Sequence, residues 1–264
     1  MSNAFALFLT AFFSFSAFIL SIIGCAGSTK NYYPINHIYT SQIDLTGISI
    51  RSVISTATIA SASDISLPGY INLGLWSYCI ETTNKTIASC TSPKGIQKFN
   101  LKELLYDNIE NNSILEAIDS ASILLPEDIQ NKKSYFNGLI KCMFITLLIG
   151  IVLSFLNTLV CIIRWVIHFR FVQAVGIFIS FFSFASLLVS ASSCVAALII
   201  IYRILDDNDS YGIKLNYGHV YLGIIWGGVL AALFSFITWC SVRSSRRPQV
   251  IYMSEPIEKK PLIY

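Results

Sequence analysis

The sequence predicts a mainly α-helical membrane protein: a bundle of four transmembrane helices carrying an extracellular β-sheet and short helices in its first outer loop. Three observations lead there. Hydrophobic residues make up 54% of the 264-residue chain and charged residues only 12%, against about 25% charged in soluble proteins. Four apolar runs, 4–25, 139–163, 171–201 and 220–240, each reach the roughly 20 residues that cross a hydrocarbon core of about 30 Å. Between the first two lies a long polar stretch whose residues 38–66 are rich in Ile, Thr, Ser and Val, a composition that favours strands.

The first run contains no Asp, Glu, Lys or Arg, and the other three carry none except at their ends. A charge at a helix centre costs about 2.5–3.5 kcal/mol on insertion scales, so all four runs are able to span. The first is read as a retained signal anchor rather than a cleaved leader. Its apolar core is long, and Met1-Ser2-Asn3 lacks the basic residue of a signal peptide. Ile22-Ile23-Gly24-Cys25 resembles a bacterial lipoprotein cleavage box, but three further spans follow it.

Orientation follows from basic residues beside the spans. Arg164 and Arg170 bracket the second connection, and Arg243, Arg246 and Arg247 follow the fourth run, whereas Asp206, Asp207 and Asp209 offset Arg203 and Lys214 in the third connection. Residues 1–3, 164–170 and 241–264 are therefore assigned to the cytoplasm, and residues 26–138 and 202–219 to the outside.

In the outer segment, Ile48 and Ile50 alternate with Gly47, Ser49 and Arg51, a half-buried strand pattern. Pro68-Gly69 marks a turn. Residues 70–80 read as one strand, with Ile71, Leu73, Leu75 and Cys79 on one side and Trp76, Tyr78 and Ile80 on the other. A polar turn over 81–85 leads to a returning strand over 86–91. Cys79 and Cys90 face an oxidising compartment, where pairing is expected; the alternative is two free thiols. Closing that loop would stabilise by about 2.8 kcal/mol on the chain-entropy model. Asn84 begins an Asn-Lys-Thr glycosylation sequon at the turn, Asn111 begins a second, and Asn208 a third close to the membrane.

After Cys90 the period becomes helical. Leu101, Leu104 and Leu105 suit one short helix, Ser113 to Leu125 another, and Pro126-Glu127-Asp128 the start of a third that runs into the second span. The third apolar run is long, about 46 Å at 1.5 Å per residue, so it tilts or projects beyond the lipid. Ser186, Ser190 and Cys194 recur every four residues, as do Gly223 and Gly227, and then Gly228 and Ala232. Such rows let helix backbones approach, here within the bundle rather than in a dimer.

Tests for chemistry are mostly negative. His37, His168 and His219 show no metal-ligand spacing. The apolar cores hold no carboxylate, Lys or His for an ion or proton relay. No phosphate-binding or dinucleotide fingerprint occurs, and no basic run suits nucleic acid. The expectation is a non-enzyme with no cofactor. The Ser residues of the third run are read as packing and back-bonding residues. Cys240, and less so Cys161, are candidates for palmitoylation.

Four spans, a large first outer loop and the Gly74-Leu75-Trp76…Cys79…Cys90 pattern resemble the claudin-like tetraspans. More closely, Ile71 through Cys79, then Cys90-Thr91-Ser92-Pro93-Lys94 and Phe99-Asn100-Leu101, are similar to the fungal Sur-seven/PalI family. The resemblance implies a plasma-membrane protein of fungal cortical patches (eisosome-associated compartments), linked to cell-wall integrity and stress. Gly74, Leu75, Trp76, Cys79 and Cys90 take structural roles in it. Its implied partners are the lipid bilayer, other membrane proteins or further copies of the chain packed laterally, and the cell wall. The alternative within the family is a sensor or auxiliary subunit, as in PalI-like ambient-pH signalling.

Overall fold

The computed structural model describes residues 3–46, 69–84, 86–92, 127–167, 170–206 and 214–242. Its long helices are α1 (Asn3–Cys25), α2 (Glu127–Val166), α3 (Arg170–Asp206) and α4 (His219–Ser241). Each contains a stretch long and apolar enough to cross a membrane. The expected Ile48–Ile50 strand, the short helices over 101–125, and the sequons at Asn111 and Asn208 lie outside the described residues.

Helices α2 and α3 are longer than the hydrocarbon-length runs that announce them. α2 begins at Glu127, just after Pro126, and α3 continues past Arg203. The physical reason is that an intrahelical ladder does not stop where hydrocarbon stops; polar residues continue it in water.

The strands are β1 (Ser41–Asp44), β2 (Tyr70–Leu73), β3 (Tyr78–Glu81), β4 (Ile87–Cys90) and β5 (Lys214–Tyr217). They form one antiparallel sheet in the order β4-β3-β2-β1-β5. β5 comes from the connection between α3 and α4, where the sequence reading placed only a loop. Four residues are too few for an alternating pattern to stand out, and the strand exists because β1 offers it an edge: Gln42 faces Asn216 and Ile43 faces Leu215.

The stretch 70–80 is two strands, not one. Gly74 N–H donates to Ser77 O, closing a four-residue turn that brings Leu73 opposite Tyr78 and Ile71 opposite Ile80. The reversal changes the faces. Ile43, Ile71, Leu73, Tyr78 and Leu215 share the buried apolar face. Cys79 moves to the other face beside Asn72. There a row of polar side chains crosses the sheet. Gln42 Nε2 donates to Asn72 Oδ1 (2.8 Å) and Glu81 Oε2 (3.0 Å), and Asn72 Nδ2 donates to the same carboxylate oxygen (2.9 Å). Asn216 Nδ2 donates to Gln42 Oε1 (3.4 Å). Burial, and then the nearby Glu81 carboxylate, raise the Tyr39 hydroxyl pKa above its ordinary value.

Cys79 and Cys90 are opposite one another in the β3–β4 pair and form a disulfide. The bridge ties the edge strand β4 to the sheet. Cys79→Ser is expected to lower stability by about 3 kcal/mol, read as a lower unfolding midpoint of the purified chain. An unchanged midpoint would show that the bridge constrains nothing.

Helix packing uses Gly228 of the Gly228–Ala232 row together with glycines the sequence did not single out. A Cβ at Gly24 would meet Ile225 of α4, one at Gly150 would meet Leu187 of α3, and one at Gly176 would enter the ring of Trp239. Gly223 takes no part: it faces outward, with nothing within 4 Å of an added Cβ. Gly227 touches only Leu20, at 3.5 Å, and it is Gly228 that lies against Ala17, Leu20 and Ser21 of α1. The reason is azimuth. Gly223 and Gly227 share a face turned partly away from α1, whereas Gly228 is a further 100° round the helix. The exposed faces are apolar instead. Phe5, Phe8, Phe12 and Phe15 recur at helical spacing on the outward side of α1, as expected of a surface whose solvent is lipid.

Candidate functional site

The turn at Gly74–Ser77 joins the sheet to the bundle. A glycine is required at 74, because a Cβ there would stand 2.6 Å from Gly27 O and 2.8 Å from Ser28 Cβ, at the end of α1. Ser28 itself adopts φ 56°. Its carbonyl accepts from Ser77 Oγ (2.5 Å), and its hydroxyl donates to Ile38 O (3.0 Å). Leu75 is buried in the cluster that includes Met143, Leu147, Leu187 and Tyr221. Trp76 Nε1–H donates to Cys25 Sγ (3.2 Å), and its ring meets Phe144 of α2 edge-on at 4.6 Å. An aromatic pair of this kind contributes about 0.5–1.5 kcal/mol beyond area burial. Four consecutive residues thus grip α1 and α2 together, a connecting role.

A second centre lies within the bundle. Asn157, in the apolar part of α2, is almost completely buried. Its Nδ2 donates to Ser14 Oγ of α1 and Ser235 Oγ of α4, both at 3.0 Å, and its Oδ1 accepts Trp239 Nε1–H of α4 at 2.8 Å. Around it, Ser14 Oγ donates to Ser154 O (3.0 Å), Thr158 Oγ1 donates to Ser14 Oγ (3.1 Å), and the hydroxyls of Ser154 and Ser183 are bonded at 2.7 Å. Thr10 Oγ1 donates to Thr238 Oγ1 (2.9 Å), which extends the network along α1 and α4. All four helices are joined, and every member is uncharged. Trp239 is fully buried, and Gly176 of α3 leaves space for its ring. One turn further along, Gln173 Nε2 donates to Val242 O (2.5 Å).

Both centres hold secondary-structure elements together. The groups that meet are amides, hydroxyls, two indoles and a thiol, and among the described residues no three His, Cys, Asp or Glu side chains are grouped to hold a metal ion. With that geometry established, comparison with known proteins places the chain. A model of the SUR7/PalI family matches residues 6–238. The chain belongs to the SUR7/PalI family. It is 53% identical over 265 residues to Protein PUN1 of Saccharomyces cerevisiae, with both chains covered completely. It is also 20% identical over 211 residues to uncharacterized protein YKL187C of the same yeast, spanning 74% of this chain but 27% of that longer one.

In this family member the sequence-derived site residues separate into two groups. Gly74, Leu75, Trp76, Cys79 and Cys90 gather at the sheet–bundle joint. The others are dispersed. Asn84 is exposed in the β3–β4 turn, and Cys240 is exposed in the last turn of α4. Cys161 is buried among helices, which takes it off the surface an acyl chain would need. Ser190 is buried and donates to Met143 O across the α2–α3 contact (2.8 Å), while Ser186 is half-buried. The buried Ser residues of α3 therefore bond between helices more than back along their own, contrary to the expectation of back-bonding. Asn157 and Trp239 escaped the sequence reading. The signal was present: a lone Asn in an apolar span is a helix-joining residue by default.

Asn157→Leu would leave Trp239 Nε1–H without its acceptor in a fully buried site. Single interhelical bonds contribute about 0.6–2 kcal/mol, and a stranded buried donor costs about 1–3 kcal/mol. The expected loss is about 2–4 kcal/mol, seen as a lower thermal midpoint in detergent. Ser186→Ala should stay within about 0.5 kcal/mol. Equal midpoints for the two variants would remove Asn157 from its central place.

Proposed function

We propose that this protein is a non-enzymatic plasma-membrane tetraspan that organises cortical membrane domains and supports cell-wall integrity or stress tolerance. The observation that carries the reading is the joint at Gly74–Ser77, which fastens a disulfide-bonded sheet to a bundle locked by neutral hydrogen bonds. Such a body has a firm outer surface and a broad apolar belt, and its core is closed by packing and paired polar groups. That suits lateral assembly and attachment better than transport or catalysis. In this reading the sheet lies outside, facing the wall, and both termini lie in the cytoplasm with Arg243, Arg246 and Arg247. Cys240 is then available for palmitoylation at the cytoplasmic surface. Membership of the SUR7/PalI family supports the membrane assignment.

Imaging a tagged full-length chain tests the proposal. The expected result is a discontinuous pattern at the cell surface, with a deletion strain sensitised to wall-damaging agents. A diffuse endoplasmic-reticulum signal in healthy cells would overturn it. Stoichiometric co-purification of a receptor or channel would favour the sensor or auxiliary-subunit reading instead. The orientation has its own test. Asn84 at an exposed turn outside the cell is an acceptor for N-glycosylation. Treatment with an N-glycan-cleaving enzyme should therefore sharpen the wild-type band and leave Asn84→Gln less changed.

A further inference from the structure

The segment that leaves α1 is a closed loop. Ser28 N–H donates to Ile35 O (2.9 Å) and Ser28 Oγ–H to Ile38 O (3.0 Å), so the two ends of the loop meet beside the end of the helix. Between them Asn36 N–H donates to Tyr32 O (3.2 Å), and the rings of Tyr33 and His37 meet edge-on at 5.9 Å. Tyr32 and Tyr33 are nevertheless 52% and 81% exposed. We propose that these two tyrosines rest among the phosphate-bearing lipid headgroups of the leaflet on the sheet side, which makes the loop a membrane-surface anchor for the sheet.

Height decides where the loop lies, and α1 ends deeper than its neighbours. Gly24 packs against Ile225, six residues inside the start of α4 at His219, which is about 9 Å at 1.5 Å per residue. Trp76 bonds Cys25 and meets Phe144, which stands three residues inside Lys141, or about 4.5 Å. The loop therefore sets out from below the polar ends of α2 and α4. It cannot climb far, because the carbonyl of Ile35 is held at Ser28. The Cα of Tyr33 lies within about 7 Å of Ile35, and that of Tyr32 within about 11 Å, the reach of two and three residues. The interfacial layer is itself about 5–8 Å thick on each side of the hydrocarbon. Exposed side chains at that level meet headgroups.

The residue types suit that layer. Tyr sets an apolar ring beside hydrocarbon and a hydroxyl among headgroups, and it concentrates at both membrane interfaces. Lys30 of the same loop is exposed and offers an ammonium to phosphate, and no Asp or Glu precedes Asp44 in the chain. Tyr135 and Tyr202 mark the same level elsewhere. Both are exposed, two residues before Asn137 and one before Arg203, at the sheet-side ends of the apolar stretches in α2 and α3. Asn31 Nδ2 donates to Ile87 O (3.4 Å), so the loop is also tied to the edge strand β4 and holds that side of the sheet to the membrane surface.

The experiment places the photoreactive residue benzoylphenylalanine at position 33 of the full-length chain in phosphatidylcholine nanodiscs. A parallel chain carries it at position 8, where Phe8 is exposed on the apolar side of α1. After irradiation the protein is digested to peptides, treated with phospholipase C and weighed by mass spectrometry. A cross-link to the headgroup leaves phosphocholine on the peptide, whereas one to the glycerol or acyl chains leaves diacylglycerol. The expected result is phosphocholine at position 33 and diacylglycerol at position 8. The same headgroup product is expected at position 32, which keeps the test decisive should one replacement misfold. Loss of the lipid adduct at 32 and 33 while position 8 is labelled, or diacylglycerol as their main product, would overturn the proposal. So would a cross-link to protein or polysaccharide in place of lipid when the same chains are irradiated in whole-cell membranes.

Discussion

The bundle depends on the hydrogen bonds of Asn157. In hydrocarbon an apolar helix face gains nothing by leaving lipid for another apolar face, so association rests on packing and on polar groups that must find partners. Asn157 supplies those partners in three directions at once, to Ser14, Ser235 and Trp239. Each bond is directional, so together they set the rotation of α1 and α4 against α2. The Ser154–Ser183 bond does the same for α3. Close approach is then possible only with small residues at the crossing points, and Gly150, Gly176 and Gly228 provide it.

The same economy governs the other end of the molecule. The sheet draws strands from both connections on its side, β1 to β4 from between α1 and α2, and β5 from between α3 and α4. It therefore ties the two helix pairs together. The Gly74–Ser77 turn is the point where that sheet meets the helices, through Ser28, Cys25 and Phe144. Order in the core and order in the sheet reinforce one another.

Much of this was legible in the residues. The spans stand out because 20 consecutive apolar side chains have few other uses, and Cys79 and Cys90 because strand-turn-strand spacing brings two thiols together. Pro126 announced the start of α2. The errors have physical causes. Counting alternation straight through Gly74 hid the turn, since a four-residue reversal leaves a run of strand-forming residues looking continuous. The Gly223–Gly227 spacing is correct for a packing row, but spacing carries no information about which way the row points. β5 is four residues long, and only its neighbour makes it a strand.

By itself the sequence determined the class of protein, the number of spans, the clipped hairpin and the family motif. These follow from hydropathy and local pattern, which add up residue by residue along the chain. Only the tertiary structure decided that Asn157 and Trp239 are the centre of the bundle, that Trp76 leans on Phe144, and that Gly176 rather than Gly223 is a contact glycine. Those facts depend on the azimuth and crossing of helices far apart in sequence. Bonds such as Asn157 to Ser14, 143 residues apart, exist only once the bundle has closed.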